Sequence, residues 1–126
     1  MEIHHIKVQK SARYIIIGDV STANQVVIIL HGYGQSVTRL ANKFSVLDTS
    51  NVAYIIPEGL HRFYTSGFSG DVGSSWMTRE DRLVDIDDYV GYLNQLADAL
   101  EIRSKMISVL GFSQGAATAC RWVADG

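Results

Sequence analysis

The chain has little that would cross-link it or stiffen its backbone, with one cysteine and one proline in 126 residues. A single cysteine, Cys120, excludes a disulfide framework within the chain. Because Cys120 lies among helix-forming residues beside Trp122 and Val123, we expect a buried structural thiol. The sequence also has no repeat, no low-complexity tract and no linker, and its length fits one domain over residues 1–126.

The chain also lacks a large excess of positive or negative charge, and it has no long apolar run. Charged residues make up 19% of the chain and the formal net charge is −2, so there is no electrostatic footprint for nucleic acid or an anionic membrane. No apolar run approaches the roughly 20 residues of a membrane span, and residues 1–10 lack the apolar segment of a secretory signal. We expect a cytoplasmic protein with no membrane span and no nucleic-acid partner.

The sequence does contain a regular alternation of strand-like and helix-like segments. Short apolar runs, typical of strands buried on both faces, lie at residues 26–30, 52–56 and 106–110. Helical apolar spacing covers residues 37–47, 83–100 and 116–123. This alternation predicts an α/β fold in which a mostly parallel sheet is flanked by helices and functional groups lie at the carboxyl ends of the strands.

The segments between these elements are less regular. Residues 3–8 and 14–17 are short β-type runs joined by a polar link, which predicts an antiparallel hairpin. Residues 59–75 combine glycines, serines and aromatic residues, which predicts a long functional loop. Thr78 followed by Asp81 resembles a capping box before the second helix.

Residues 111–115 carry the most specific motif, Gly-Phe-Ser-Gln-Gly, which matches G-x-S-x-G. A nucleophilic serine needs a sharp strand-to-helix turn, and small residues on both sides, here Gly111 and Gly115, avoid clashes in it. Such a turn places the Ser113 hydroxyl at a helix N-terminus, where backbone N–H groups favour negative charge. Since the motif follows a buried-type strand and precedes a helix, it predicts a nucleophile elbow.

A second glycine-rich turn, His31-Gly32-Tyr33-Gly34, follows the first buried strand. The glycines allow the backbone to approach a ligand closely. In an α/β hydrolase this loop supplies an oxyanion donor, so the backbone N–H groups of Tyr33 and Gln114 form the candidate pair. We interpret His31 as a core histidine with a structural role.

Together these features resemble the carboxylesterase/phospholipase family of α/β hydrolases, which includes the acyl-protein thioesterases. The resemblance runs in register from about Val26 to Trp122 and is carried by His31 to Gly34, Pro57 to Gly59, the Ser75-Trp76 pair and Gly111 to Gly115. It implies the α/β-hydrolase fold and hydrolysis of small carboxylic esters or thioesters without a metal or cofactor. It also implies Ser113 as the nucleophile, with Tyr33 and Gln114 at the oxyanion positions.

Further side chains in the chain have two interpretations each. Aromatic residues that either line an acyl pocket or simply pack the loop are Phe63, Tyr64, Phe68 and Trp76. Three acidic residues that we interpret as a solvated helix face rather than a metal site are Asp85, Asp87 and Asp88.

The sequence departs from the family where the rest of a catalytic triad would follow. In α/β hydrolases the acid and then the histidine come after the serine, but all four histidines here precede Ser113 and only Asp125 follows it. A residue in the helix after the elbow points away from the nucleophile, so Asp125 is not assigned as the triad acid. His61 is the one candidate for a substitute base, because its loop lies at the correct edge of the sheet.

Residues 106–110 are also predicted to form an edge strand without the charge or proline that usually protects an edge. We therefore expect the N-terminal portion of an α/β-hydrolase domain, truncated after the nucleophile helix. Its sheet would be completed by a second segment or chain, or the chain would self-associate through this strand.

Two functions of other classes remain open. The first is a non-catalytic remnant that acts as an interaction domain through the exposed edge. The second is a dinucleotide-binding module, because Gly32-x-Gly34 follows a strand and Glu58 ends the next one, although the third small position of G-x-G-x-x-G falls on Val37.

Overall fold

The apolar run after Asn24 becomes the inner strand from which the sheet is built. The computed structural model describes residues 1–126, with six strands and three helices. In chain order these are β1 Tyr14–Ile17, β2 Gln25–Leu30, α1 Val37–Phe44, β3 Val52–Pro57, β4 His61–Tyr64, β5 Val72–Ser75, α2 Arg82–Ala99, β6 Met106–Gly111 and α3 Gln114–Asp125.

Four strands form the main sheet in the order β1-β3-β2-β6. β2 pairs in parallel with both β3 and β6, while β1 pairs antiparallel with β3. β4 and β5 form a separate antiparallel hairpin. α1 packs over β1 and β3, whereas α3 packs over β6 and β2 and contacts α2. The predicted α/β class and the mostly parallel sheet are therefore confirmed.

Strand β2 is apolar at consecutive positions because both of its faces are covered. Val26, Ile28 and Leu30 belong to the larger core cluster with α2 and α3, and Ile29 belongs to the smaller cluster with α1. All four side chains are at most 2% exposed. Since parallel strands end at the same edge, the residues after β2 and β6 are brought together there.

The predicted hairpin of residues 3–8 with 14–17 is wrong. β1 hydrogen-bonds to β3 instead, and residues 1–13 form no strand. Exposed contacts hold the N-terminal segment beside α2: His5 Nε2 lies 2.8 Å from Asp81, and Lys7 Nζ donates to Asp87 and Asp88. The apolar pattern of the segment could not reveal this, because it resembles that of a strand whether or not a partner is present.

Residues 59–75 are not a single loop, because they contain the β4–β5 hairpin. His61 pairs with Ser75 and Tyr64 with Val72. β5 also lies against the turn after β2, since Gly34 N donates to Ser74 O and Ser74 N donates to Gln35 O. The glycines that suggested a loop permit this approach: a Cβ on Gly73 would lie 2.5 Å from the Gly34 carbonyl carbon.

Three expectations about α2 and α3 are also wrong. Thr78 does not cap α2, because the N-cap is Asp81 and the Thr78 N–H donates to the Asp85 carboxylate. Asp85 is therefore not solvated: it is 9% exposed, whereas Asp87 is exposed. Cys120 is exposed rather than buried, because it lies on the side of α3 that no other element covers.

The predicted edge position of residues 106–110 is confirmed. β6 pairs with β2 on one side and with no strand on the other. Met106, Ile107 and Leu110 are all exposed. The sheet thus has a free apolar edge next to the turn that carries Ser113.

An ion pair between Glu58 and Arg13 links the end of β3 to the start of β1. The Glu58 carboxylate is 5% exposed and accepts two hydrogen bonds from Arg13, at 2.9 Å from Nε and 2.6 Å from Nη2. Arg62 lies 3.7 Å from the same carboxylate. A buried carboxylate needs such partners, because desolvation would otherwise raise the free energy of its charged form.

Replacing Arg13 with alanine should therefore lower the free energy of unfolding by about 1–3 kcal/mol, as expected for a charged hydrogen-bonded group left unpaired. Urea unfolding at pH 7 measures this. Arg39→Ala is the matched control, since it removes an exposed pair with Asp71 and should change the free energy by under about 1 kcal/mol. Equal effects of the two substitutions would contradict an anchoring role for Glu58.

Candidate active site

The turn between β6 and α3 holds Ser113 in a strained backbone conformation. Its φ is 53° and its ψ is −115°, a combination that non-glycine residues rarely adopt and that costs roughly 1–3 kcal/mol. The residue is exposed, and no side chain of the chain hydrogen-bonds to its hydroxyl. The fold thus presents a hydroxyl at the carboxyl end of β6 and at the N-terminus of α3.

Three glycines allow the backbone segments around Ser113 to touch. A Cβ on Gly111 would lie 2.6 Å from the Ala116 Cα, and one on Gly115 would lie 2.5 Å from the His31 carbonyl oxygen. A Cβ on Gly32 would lie 3.2 Å from the Ser113 Cβ. The turn after β2 and the turn after β6 therefore pack directly on each other.

Two backbone N–H groups at this junction are free of backbone acceptors. Gly34 N and Gly115 N donate to Ser74 O and Phe112 O, but Tyr33 N has no acceptor among the loop hydrogen bonds. Gln114 is the first residue of α3, and the N–H groups of a first helical turn have no partner within the helix. The backbone N–H groups of Tyr33 and Gln114 therefore have no backbone acceptor, and each belongs to a residue next in sequence to one of the two residues, Gly32 and Ser113, at which the turns touch.

The Gln114 side chain fixes the N-terminus of α3 from the other side. Its Oε1 accepts a hydrogen bond from Trp76 N at 2.8 Å, and its Nε2 donates to Met77 O at 2.7 Å. Gln35 does the same for the turn after β2, because its Oε1 accepts from Gly32 N at 2.5 Å. The sequence analysis did not predict these roles of the two side chains. A glutamine beside a glycine gives no indication of which backbone groups its amide will hydrogen-bond.

His31 is buried and both of its ring nitrogens are occupied. Nε2 accepts a hydrogen bond from Gly59 N at 2.8 Å, so the ring proton is on Nδ1, which donates to Gly32 O at 2.7 Å. The ring stacks on Trp76 with centroids 5.0 Å apart. Burial lowers the pKa of His31, which agrees with its interpretation as a structural, neutral histidine.

His61 lies beside a buried carboxylate and not beside Ser113. Its Nε2 is 3.5 Å from Asp85 Oδ1, and the His61 side chain is half exposed. This pair links β4 to α2. No contact joins His61 to the elbow, so the structure gives no support to His61 as a substitute base.

The four aromatic residues proposed for a pocket occupy different environments. Phe63 is partly buried and packs on the exposed ring of Tyr33, with centroids 5.3 Å apart. Tyr64 is exposed, and Phe68 is 97% exposed. Trp76 is 1% exposed and donates from Nε1 to His31 O at 2.9 Å. Of the four, only Phe63 packs on Tyr33, while Trp76 is part of the core.

Two structural observations bear on other classes of site. No group of three or more histidine, cysteine, aspartate or glutamate side chains is arranged to hold a metal ion. None of the helices has both the length and the apolar character needed to cross a membrane.

Comparison with known proteins agrees with this geometry. The model of the phospholipase/carboxylesterase family matches residues 12–123, which include the elbow and the turn after β2. The chain belongs to the phospholipase/carboxylesterase family. The family resemblance noted in the sequence is therefore confirmed. No curated protein sequence matches the chain.

Three solved structures have a fold similar to that of this chain. A phospholipase/carboxylesterase from Dyadobacter fermentans DSM 18053 aligns with a TM-score of 0.65 and 21% identity, over 93% of this chain and 55% of its own. Acyl-protein thioesterase 2 from Zea mays gives 0.62 and 24%, over 86% and 49%. Esterase PE8 gives 0.63 and 20%, over 90% and 57%. This family member thus spans about half the length of these solved relatives.

Gly115→Ala tests the close approach of the two turns. The new methyl group would collide with the Leu30 and His31 carbonyl groups, so we expect a loss of about 1–3 kcal/mol in the free energy of unfolding. Gly91→Ala is the matched control, because a Cβ there meets nothing within 4 Å and α2 should gain up to about 1 kcal/mol. Urea unfolding measures both, and a stabilised G115A protein would refute the contact.

The buried His31 should make stability depend on pH. Because its pKa is lowered in the folded state, the unfolded chain binds the proton more readily, and the free energy of unfolding falls as the pH drops below about 6.5. Urea unfolding at pH 7.5 and 5.5 should show a smaller pH effect in His31→Gln than in the wild type. An unchanged difference between the two pH values would contradict a neutral His31.

Proposed function

We propose that this chain carries the nucleophile and the oxyanion hole of a serine hydrolase that acts on small carboxylic esters or thioesters. The observation that supports this most directly is the strained, exposed conformation of Ser113, with φ at 53°, next to two free backbone N–H groups. Strain of this kind persists only where the surrounding structure enforces it, and it concentrates at active sites.

In the proposed reaction the Ser113 Oγ attacks the carbonyl carbon of the ester and loses its proton to a base. The tetrahedral oxyanion accepts hydrogen bonds from the N–H groups of Tyr33 and Gln114, which stabilise its charge. Collapse of this intermediate expels the alcohol or thiol, which takes up the proton, and leaves an acyl-serine. Water then hydrolyses the acyl-serine to the carboxylic acid, so the reaction needs no metal or cofactor.

The base for this reaction is not found among the contacts of Ser113. His31 uses both ring nitrogens within the core, and His61 is next to Asp85. His4 and His5 lie near Glu2 and Asp81. We therefore propose that the triad histidine and acid are supplied by a second segment or chain that completes the sheet beside β6. A serine without a base is a poor nucleophile.

The surface that receives the substrate is proposed to include the Tyr33–Phe63 pair and Tyr64. Gly34, between Tyr33 and the hairpin, leaves the Phe63 ring within van der Waals distance of the turn. These rings would contact an apolar acyl or alcohol group close to Ser113. A cytoplasmic setting, expected from the sequence, remains part of this proposal.

The dinucleotide-binding alternative has little support in the structure. Val37, which occupies the third small position of the glycine motif, is the first residue of α1 and is buried in the core. Glu58, the candidate ribose ligand, is buried and bonded to Arg13. The non-catalytic interaction domain remains the second candidate, and the free apolar edge of β6 is the observation that favours it.

A fluorophosphonate probe tests the proposed nucleophile. We expect a single adduct on the 13.9 kDa chain, located at Ser113 by peptide mass analysis and absent from Ser113→Ala. Labelling should be slow, and added imidazole should accelerate it by supplying the missing base. Ser108→Ala is the matched control, since Ser108 is also an exposed serine near the elbow but lies outside the turn.

The outcomes of this experiment are distinct. Labelling that disappears in His61→Ala would show that His61 is the base and that no other segment is needed. A folded wild-type chain that stays unlabelled at high imidazole would contradict the nucleophile and leave the interaction domain as the function.

A further inference from the structure

The turn after β2 leaves one of its backbone N–H groups without an acceptor. Gly34 N donates to Ser74 O at 2.8 Å. Gln35 N donates to Gly32 O at 3.2 Å, and Gly32 N donates to Gln35 Oε1 at 2.5 Å. Gly34 has a φ of 73°, as the third residue of a type II turn requires. In this closed turn only the N–H of Tyr33 has no acceptor among the loop hydrogen bonds.

The direction of this free N–H is set by the carbonyl group of the same peptide unit. The Gly32 carbonyl oxygen accepts hydrogen bonds from His31 Nδ1 at 2.7 Å and from Gln35 N. Because the peptide is trans and planar, the Tyr33 N–H points in the opposite direction, away from the buried His31 ring. Hydrogen bonds to the carbonyl also polarise the peptide unit and strengthen its N–H as a donor. The two groups that hold the Gly32 oxygen therefore orient and strengthen the candidate oxyanion donor.

Gln35 holds Gly32 at both of its backbone polar groups. Its N–H donates to the Gly32 carbonyl, and its side-chain Oε1 accepts from the Gly32 N–H. Gly32 is buried, so loss of this acceptor would leave a buried donor unsatisfied and favour movement of the turn. A Cβ on Gly32 would lie 3.4 Å from Gln35 Oε1 and 3.2 Å from Ser113 Cβ. A displaced Gly32 would thus change the position of Tyr33 N relative to Ser113.

The contacts of Gln35 differ from those of a residue that packs the core. Its three hydrogen bonds all join main-chain atoms, namely Gly32 N, Gly32 O and Ser74 N. It belongs to neither of the two apolar core clusters. Removal of its side-chain acceptor should therefore act on the turn and on its link to β5, and should leave the core packing in place.

We propose that Gln35 is a positioning residue of the oxyanion hole. Its carboxamide occupies the Gly32 N–H and thereby keeps the Tyr33 N–H free and directed at the oxyanion. This role rests on the proposed function, because it concerns a donor that would stabilise the tetrahedral intermediate. Gln35 does not touch the substrate but acts through the Gly32–Tyr33 peptide, where a displacement of about 1 Å can lower a rate by about a hundredfold.

Gln35→Met tests this role, because it keeps the length of the side chain and removes the acceptor. With imidazole as the base, we expect the fluorophosphonate probe to label Ser113 roughly 10–100 times more slowly than in the wild type. Gln95→Met, at an exposed position on α2, is the matched control and should label at the wild-type rate. Circular dichroism confirms that both variants are folded. A wild-type rate in Q35M would overturn the positioning role alone, whereas a wild type that is never labelled would overturn the proposed function as well.

Amide NMR spectra give a readout that a purely structural role of Gln35 would not change. In the labelled wild type, the phosphonyl oxygen of the adduct should accept a hydrogen bond from Tyr33 N and shift that amide proton downfield. The shift should shrink in Q35M and persist in Gln35→Glu, whose carboxylate still accepts from Gly32 N. An equal shift in Q35M and the wild type would contradict the proposal.

Hydrogen exchange of the wild type tests the geometry of the turn without any substitution. After correction for sequence effects, the Gly32 amide should exchange at least about tenfold more slowly than the Tyr33 amide, because only Gly32 N has an acceptor. Equal exchange of the two amides would overturn the proposal, and this outcome does not depend on whether Q35M folds.

Discussion

The close approach of Gly115 to the carbonyl oxygens of Leu30 and His31 determines where the functional groups of this chain lie. It allows the N-terminus of α3 to rest on the carboxyl end of β2, which no residue with a side chain would permit. The turn after β2 then reaches Ser113 through Gly32. From this one contact follow the exposed hydroxyl and the pair of free N–H groups beside it.

A layer of buried polar contacts holds that arrangement in place. His31 joins the turn after β2 to Gly59 at the end of β3, and Trp76 joins the same turn to the core of α2. Gln114 ties the elbow to the segment that follows β5. Because the buried polar atoms of His31, Trp76 and Gln114 are hydrogen-bonded across these elements, they restrict the movement of the three strand ends relative to one another.

The sequence allowed the main sheet and the elbow to be predicted, because buried strands and a glycine-flanked serine are determined by local steric and hydrophobic requirements. It did not allow the partner of β1 to be predicted, since pairing with β3 depends on tertiary contacts such as Arg13 with Glu58. Asp85 looked like a surface acid because its burial depends on the Thr78 N–H and on His61. Cys120 was expected to be buried because the apolar spacing of a helix does not show which of its sides another element covers.

The positive φ of Ser113 also bears on how this chain can change over evolutionary time. A glycine at the same position would release the strain, and the released energy would make the folded state more stable. Selection for stability alone would therefore favour a glycine at this position, so the strained serine fits the nucleophile role proposed above. The backbone conformation of the turn thus adds a physical argument that the sequence motif alone does not supply.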